Sequence, residues 1–489
     1  MNRFWIGCFS LALIASSARA ETAVEIEGLE VQPGGLTADD AVRRSLAASS
    51  SAAEKQAEID VANARIRQTV IQFVPKLGLK ASYMRLSSVS SQLGGALLGA
   101  RNEGPLRLEA CDTGQCLVDS EGNPIQASSF SFPTVEDNYV LTANLTIPLS
   151  DYLLRLSDAS AGAEKSLDAA RLGLAAAESK VRTDARVLYY NWLRAHAQSF
   201  IAAKAVERSK ARVTDARAAL DVGRLANSDF LRIEALLANA EMQHKQAEAL
   251  RQLIGAQLAI LMRDPSGGEY RVGSGLPALD AEELPADAVR KLTSEALTQR
   301  LELRAIDAAT SAIGHGTSAV RAAGWPRVDA VGELVYANPN PRYFPPERAW
   351  HGSWAAGLVA SFNVDAPFGA SAQAAELEAQ AAGLRAQRSG MEAAIVNEVV
   401  TAHLDVVKAH AALAAGQTSV KAYEEAYRVA TDLFNVGRGT TTDLVNAETD
   451  LLGAKLATAN ARIDLTIAVT RLEYALGREA KSQVPSVRR

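Results

Sequence analysis

Asp221-Val222-Gly223-Arg224-Leu225-Ala226-Asn227-Ser228-Asp229 and Asn435-Val436-Gly437-Arg438-Gly439-Thr440-Thr441-Thr442-Asp443 are two versions of one turn, and the residues after each turn keep step. Glu234, Leu237 and Ala240 come after the first; Glu448, Leu451 and Ala454 come after the second, all at an offset of 214 residues without a gap. Matching residues at a fixed offset mark an internal repeat, so the chain has two halves of shared architecture.

Each turn lies inside a stretch free of proline: none occurs between Pro148 and Pro265, nor between Pro367 and Pro485. Both stretches are rich in Ala, Leu, Arg, Glu and Gln, the residues that cost least in a helix. Glycine in the turn ends one helix, and Ser228 or a threonine among Thr440 to Thr442 caps the next. Each window therefore reads as a helical hairpin. Its first arm, 151–222, would reach ~105 Å at about 1.5 Å per residue, longer than ordinary globular helices and in need of partners throughout.

The packing code is clearest after the second turn. Leu444, Leu451, Thr458, Leu465 and Leu472 repeat every seven residues, and Ala447, Ala454, Ala461, Ala468 and Ala475 do so three positions on. This is a coiled-coil seam in which alanine lets helices approach closely. In the first half Ile233, Ala240, Ala247, Ile254 and Leu261 keep the second row. Phe230, Leu237, His244, Arg251 and Leu258 keep the first row less cleanly.

Two helices flank the hairpins. Thr37, with Asp40 three residues on, has capping-box spacing and opens a helix over 37–74; another covers 286–323. A Gly/Pro-rich connector joins the halves. The expected organisation is a signal peptide at 1–20, a first repeat at 21–264, the connector at 265–285, a second repeat at 286–477 and a tail at 478–489.

Four segments alternate with period two, the pattern of strands. Leu77, Leu79, Ala81 and Tyr83 alternate with Gly78, Lys80, Ser82 and Met84; Tyr139, Leu141, Ala143, Leu145 and Ile147 alternate with Val140, Thr142, Asn144 and Thr146. The third puts Val328, Ala330, Gly332, Leu334 and Tyr336 opposite Asp329 and Glu333. The fourth sets Trp354, Ala356, Leu358, Ala360, Phe362 and Val364 against Ser361, Asn363 and Asp365. Each has the ~10-residue length of a tilted membrane strand. Trp325, Trp350 and Trp354 cluster around the second pair with Tyr336, Tyr343 and Phe344, as aromatic girdles do at membrane interfaces. Pro75, Pro148, Pro326 and Pro367 mark the junctions with helices. A half-buried sheet in a soluble domain is the bland alternative.

The remaining features set the compartment. Arg3, the apolar run Phe4 to Ala15 and Ala18-Arg19-Ala20 read as a secretory signal, too short to span a bilayer. No later stretch reaches eighteen consecutive apolar residues, so no transmembrane helix is expected. A net charge of −5 without a basic block argues against nucleic acid. Cys111 and Cys116, close together in an oxidising compartment, are expected to pair and close a small loop. Zinc would need further ligands and none is near; no metal or cofactor site is read. Four strands cannot close a barrel, and open edges are not tolerated in lipid, so the chain must oligomerise. Two copies would give eight strands and three would give twelve; a conduit favours three.

The chain resembles the TolC family of outer-membrane efflux and secretion channels over nearly its whole mature length. The matching pieces are Leu36-Thr37-Ala38-Asp39-Asp40-Ala41, the helix-to-strand entry Phe73-Val74-Pro75, its counterpart Trp325-Pro326 and the paired Val-Gly-Arg turns. The resemblance implies a mainly α chain with a small β part: long antiparallel helices in a periplasmic α-barrel and a trimeric twelve-stranded β-barrel. It implies a homotrimer in outer-membrane lipid whose hairpin tips, Val222, Gly223, Arg224 and Asp229 with Val436, Gly437 and Arg438, dock onto a periplasmic adaptor linked to an inner-membrane pump. It places a pore constriction at Asp443, with Asn446 where a second acidic ring can occur. The basic latch of some members would fall on Gly439, which leaves it absent or moved to Arg438. Capping of the adjoining helix is the main role read for Asp229 and Asp443, with a pore role for Asp443 added by threefold symmetry.

The first strand hairpin is the longer: Pro75 to Pro148 against Pro326 to Pro367. Its excess, holding both mature cysteines, reads as an extracellular loop. No P-loop, nucleophile elbow or His-Glu-x-x-His occurs, and Gly314 to Ala319 fits a dinucleotide fingerprint only loosely, after a helical stretch. An enzyme is not expected. The preferred function is a passive duct for tripartite efflux or type I secretion; the alternative is a non-channel periplasmic coiled-coil adaptor or scaffold.

Overall fold

A computed structural model describes residues 29–478 except 89–90, 93–96, 100–102, 112–113, 129–130, 133–134, 278–287, 345 and 437. The signal peptide, the end of the connector and nearly all of the tail lie outside the described residues. Among these, the helices are α1 (Ala38–Ala48), α2 (Ser50–Ile71), α3 (Leu149–Leu154), α4 (Leu156–Asp221), α5 (Asn227–Met262), α6 (Ala288–Gln299), α7 (Leu301–Ala322), α8 (Ala366–Asn435) and α9 (Thr441–Ala475). The strands are β1 (Lys76–Arg85), β2 (Ser91–Gln92), β3 (Leu97–Gly99), β4 (Arg107–Cys111), β5 (Gly114–Val118), β6 (Gln126–Ser128), β7 (Ser131–Phe132), β8 (Asp137–Ile147), β9 (Arg327–Asn338) and β10 (His351–Ser361). The chain divides into two units, one of residues 1–62, 166–310 and 383–489, the other of 63–165 and 311–382.

The second unit carries an antiparallel sheet in the order β1-β8-β9-β10. Its register aligns the apolar rows: Leu79 faces Ala143, Ala143 faces Leu334, and Leu334 faces Trp354. One face is therefore apolar across all four strands. The other carries Lys80 opposite Thr142, and Asn144 opposite Glu333. The apolar face is bare: Leu79 is 79% exposed, Trp354 72% and Leu358 71%. Tyr83, Tyr139, Trp350 and Tyr336 form a chain of ring contacts at one end of the sheet, at centroid distances of 4.9, 6.0 and 5.0 Å. The fourth strand stops at Ser361, short of the expected Val364, because Asn363 and Asp365 turn the chain into α8. Pro367 then sits in the first turn of α8, where its missing N–H costs nothing. Between β1 and β8, the β4–β5 hairpin is bridged by Cys111 and Cys116, with Cα atoms 5.9 Å apart.

In the first unit, Trp192, Tyr189 and Leu193 of α4 are fully buried with Leu258 of α5, Ile463 of α9 and Val272 of the connector. The connector is thus part of a core: Leu36 and Val272 bridge, and the Tyr189 hydroxyl donates toward the carbonyls of Leu36 (2.9 Å) and Ser274 (2.7 Å). Burial pushes the hydroxyl of neighbouring Tyr190 up to about 12. A second core joins Leu292 of α6, Leu303 of α7, Ile395 and Val399 of α8, and Leu465, Leu472 and Ala475 of α9. The seam of α9 is buried at Leu444, Leu451, Ala454, Ala461, Leu465, Ala468, Leu472 and Ala475. That of α5 is buried at Phe230, Ile233 and Leu258 and half-buried elsewhere, which leaves its apolar neighbours Leu253 and Ile260 exposed.

Three helices expected to be continuous are interrupted. The one over 37–74 breaks at Ser49, whose hydroxyl accepts the N–H of Ala52 and starts α2. The arm from 151 breaks at Arg155, and α4 then runs unbroken for 66 residues. The helix over 286–323 breaks at Arg300, buried between Glu302 (3.0 Å) and Glu398 (2.8 Å), over the Tyr474 ring, and within 3.4 Å of the Ala475 carbonyl at the end of α9. A cation there meets the negative end of the helix dipole.

The repeat extends to these flanks at an offset of 251, which carries Pro75 onto Pro326 and Ser49 onto Arg300. It exposes a sign reversal. Arg44 pairs with Asp264 (3.1 Å), and at the equivalent positions Glu295 pairs with Arg478 (2.7 Å). Helix ends repeat as well. At the end of α9 the Arg478 N–H reaches back to the Glu473 carbonyl past Gly477 at φ +71°; at the end of α5 the Asp264 N–H reaches Ala259 past Arg263 at φ +49°. The left-handed region disfavours any side chain by roughly 1–2 kcal/mol. Arg263→Gly should raise stability by about 1 kcal/mol, partly offset by the looser unfolded chain, read as a higher Tm in detergent.

Candidate functional site: the hairpin turns

Both turns close their first helix the same way. The Gly223 N–H donates to the Leu220 carbonyl (2.9 Å) and the Arg224 N–H to Ala219 (2.8 Å), with Gly223 at φ +72°. This Schellman closure needs the left-handed conformation that glycine adopts freely. In the second turn the Arg438 N–H donates to Leu433 (2.9 Å). Gly437 lies outside the described residues.

The turns open their second helices differently. Thr440 caps α9: its hydroxyl accepts the Asp443 N–H (3.1 Å), while the Asp443 carboxylate accepts from the Thr440 hydroxyl (2.6 Å) and N–H (3.3 Å). This is a reciprocal capping box. In the first turn the cap is not Ser228 but Ala226, which makes no side-chain bond. Leu225 packs against Phe230, a staple of the residue before the cap onto the first helical turn. That contact pulls the helix start forward and leaves Ser228 inside it. Arg217 then covers the Phe230 ring at 4.9 Å.

Contacts that the sequence could not show tie the two hairpins together. Glu448 of α9 takes Arg208 and Arg212 of α4, and Arg232 of α5 donates to Thr442 at the head of α9 (3.1 Å). Glu448 was visible only as a repeat match to Glu234, because a helix-face carboxylate shows no partner until the helices are packed. Gly439 carries no basic group, and Arg232, which bonds Thr442 at the head of α9, comes from the other hairpin. Val222 and Val436 are 67% and 70% exposed, an apolar pair at the two turns. Asp443 and Asn446 are exposed, and Asp229 is half-buried. Pro75, Pro148, Pro326 and Pro367 belong to the other unit, the first three adjoining strand ends and Pro367 in the first turn of α8. Among the described residues no cluster of His, Cys, Asp and Glu could hold a metal ion.

The architecture is that of outer-membrane channels. The channel OprN superposes with a TM-score of 0.66 at 19% identity, covering 93% of this chain and 96% of its own. The Campylobacter jejuni channel CmeC does so at 0.65 and 14%, covering 93% and 91%. The open-state Neisseria gonorrhoeae channel MtrE gives 0.66 and 18%, covering 91% and 89%. No curated protein sequence matches significantly. The chain belongs to the outer membrane efflux protein family, which it matches over residues 41–262 and 292–478. The chain is an outer-membrane protein.

The capping box predicts a local effect. Thr440→Ala should destabilise the first turn of α9 by about 1 kcal/mol, seen as faster amide exchange over residues 442–445 with no change around residues 229–232.

Proposed function

We propose that three copies of this chain close one barrel and form a passive exit duct for tripartite efflux or type I secretion. The observation that carries this reading is the four-stranded sheet. Its apolar face is uncovered, and its outer strands β1 and β10 each have one hydrogen-bonded neighbour among the described strands. In lipid every backbone group must be bonded within protein, so β10 of one copy joins β1 of the next. Each repeat, 21–264 and 286–477, supplies two strands and one hairpin. The half-buried seam of α5 is covered by the next copy in the same way.

The hairpin turns are the contact for a periplasmic adaptor and its inner-membrane pump. Exposed Val222 and Val436 give that contact an apolar centre, and Arg224 and Arg438 give it a charged rim. The pump provides the energy; the duct itself catalyses nothing. Glu448 with Arg208 and Arg212, and Arg232 with Thr442, hold the second hairpin against the first, so opening the entrance requires these bonds to break. Asp443, capping its own helix, also places three carboxylates around the axis by symmetry.

Fractionation tests the reading against a soluble coiled-coil scaffold. The protein should stay with outer membranes through salt and carbonate washes and conduct in planar bilayers; a water-soluble monomer without conductance overturns it. Asp443→Ala should lower cation selectivity of single channels, and unchanged reversal potentials in a salt gradient would remove the carboxylate ring from the account.

A further inference from the structure

The two repeats diverge where helix meets strand, in the unit that holds the sheet. In the first repeat this place is filled. Phe73 stacks on Tyr152 at 6.0 Å with ring planes 12° apart, the Tyr152 hydroxyl donates to the Phe73 carbonyl (2.7 Å), and Leu156 beneath them is 1% exposed.

The register gives the equivalent residues. The 251-residue offset carries Phe73 onto Gly324. Lys76 pairs with Thr146 and its counterpart Arg327 with Ser361, an offset of 215 for β8 onto β10. That offset carries Tyr152 onto Pro367. The extra residue at the Arg155 break restores 214 and carries Leu156 onto Ala370. Three large side chains have become Gly, Pro and Ala, and the chain closes up between them: a Cβ on Gly324 would lie 3.2 Å from the Pro367 Cα and 3.4 Å from the Ala370 Cβ. A cavity of about 520 Å³ lies beside this contact, lined by Gly324, Trp325, Phe362, Pro367, Ala370 and Ala374. It falls in the ~300–1,000 Å³ range of small-molecule clefts.

We infer that this cavity binds an acyl chain of a zwitterionic phospholipid from the periplasmic leaflet. Two observations select that occupant. Phe362 ends the row Trp354, Ala356, Leu358, Ala360 on the bare apolar face, so the cavity is continuous with the surface that meets lipid. The aromatic Trp325 stands at its mouth, 68% exposed. The rim is polar and bears both signs: Arg321 and Glu378 are paired there and both are exposed. A phosphodiester matches the guanidinium and a primary ammonium matches the carboxylate. The lipid separates that pair and takes one partner each. The inference rests on the barrel reading, which sets this face against the membrane.

The test uses the full-length protein in phosphatidylethanolamine vesicles carrying a diazirine midway along one acyl chain. Photolysis should place adducts on peptides containing residues 324–326 and 367–374, in excess over the first-repeat junction around Phe73 and Tyr152. Ala374→Leu and, separately, Ala370→Leu, which restores the first-repeat residue, should reduce those adducts about fivefold, as expected when a preformed cleft is filled. Arg321→Gln should reduce them with the phospholipid and leave those from a diazirine diacylglycerol unchanged. Equal labelling of both junctions, or labelling that survives both filling variants, overturns the inference. So does cross-linking of Ala374→Cys to a second copy in place of lipid. Conductance of the same preparations separates the two readings: a conducting wild type without cavity adducts sinks the lipid site alone, while a wild type that fails to insert sinks both.

Discussion

Hydrogen bonding of the β-sheet backbone in a solvent without water is the constraint on which the whole architecture depends. A strand edge in hydrocarbon has no partner except another strand, and each unbonded group costs several kcal/mol. One chain supplies four strands with two unfinished edges and an apolar face exposed to its surroundings. It also supplies helices whose seams are half covered. In the proposed trimer each deficit has the same remedy, a further copy of the chain.

Repetition inside the chain supplies this wall economically, and divergence between the repeats records what each copy of the motif is used for. The Arg44–Asp264 and Glu295–Arg478 pairs occupy equivalent places with reversed sign. A flanking helix that packed against the wrong hairpin would bring Arg44 to Arg478 and Glu295 to Asp264, like against like. Both pairs are partly exposed and contribute little stability; their value is in telling two similar partners apart. The turns diverge too, one stapled by Leu225 on Phe230, the other held by Thr440 and Asp443. The strand junction diverges most: aromatic rings stack there in the first repeat, and Gly324 packs closely against Pro367 and Ala370 in the second.

The turn residues illustrate how one side chain serves two ends. Asp443 makes its bonds to Thr440, so its carboxylate is fixed at the head of α9 before any question of a pore arises. A fixed charge at a helix start is stabilised locally by the unpaired N–H groups there. In the proposed trimer, its repetition around the axis would create a field without any further structural change.

Much of this protein was legible in its sequence. Helices announced themselves through proline-free windows and heptads, strands through strict alternation, and duplication through the 214-residue offset, because all three are local or periodic and survive without tertiary context. Thr37 was a readable cap for the same reason, as was a threonine among Thr440 to Thr442, of which packing selected Thr440. Tertiary packing alone decided the rest. The breaks at Ser49 and Arg300 depend on what those residues meet, and Arg300 meets carboxylates and carbonyls on α7, α8 and α9 that no window of sequence brings together. Ser228 lost the cap to Ala226 because Leu225 packed on Phe230. Glu448 became a tether only once α4 lay beside α9. The cavity at Gly324 needed the packed junction, since its lining comes from the end of α7, the residue after β10 and the start of α8, which no window of sequence brings together.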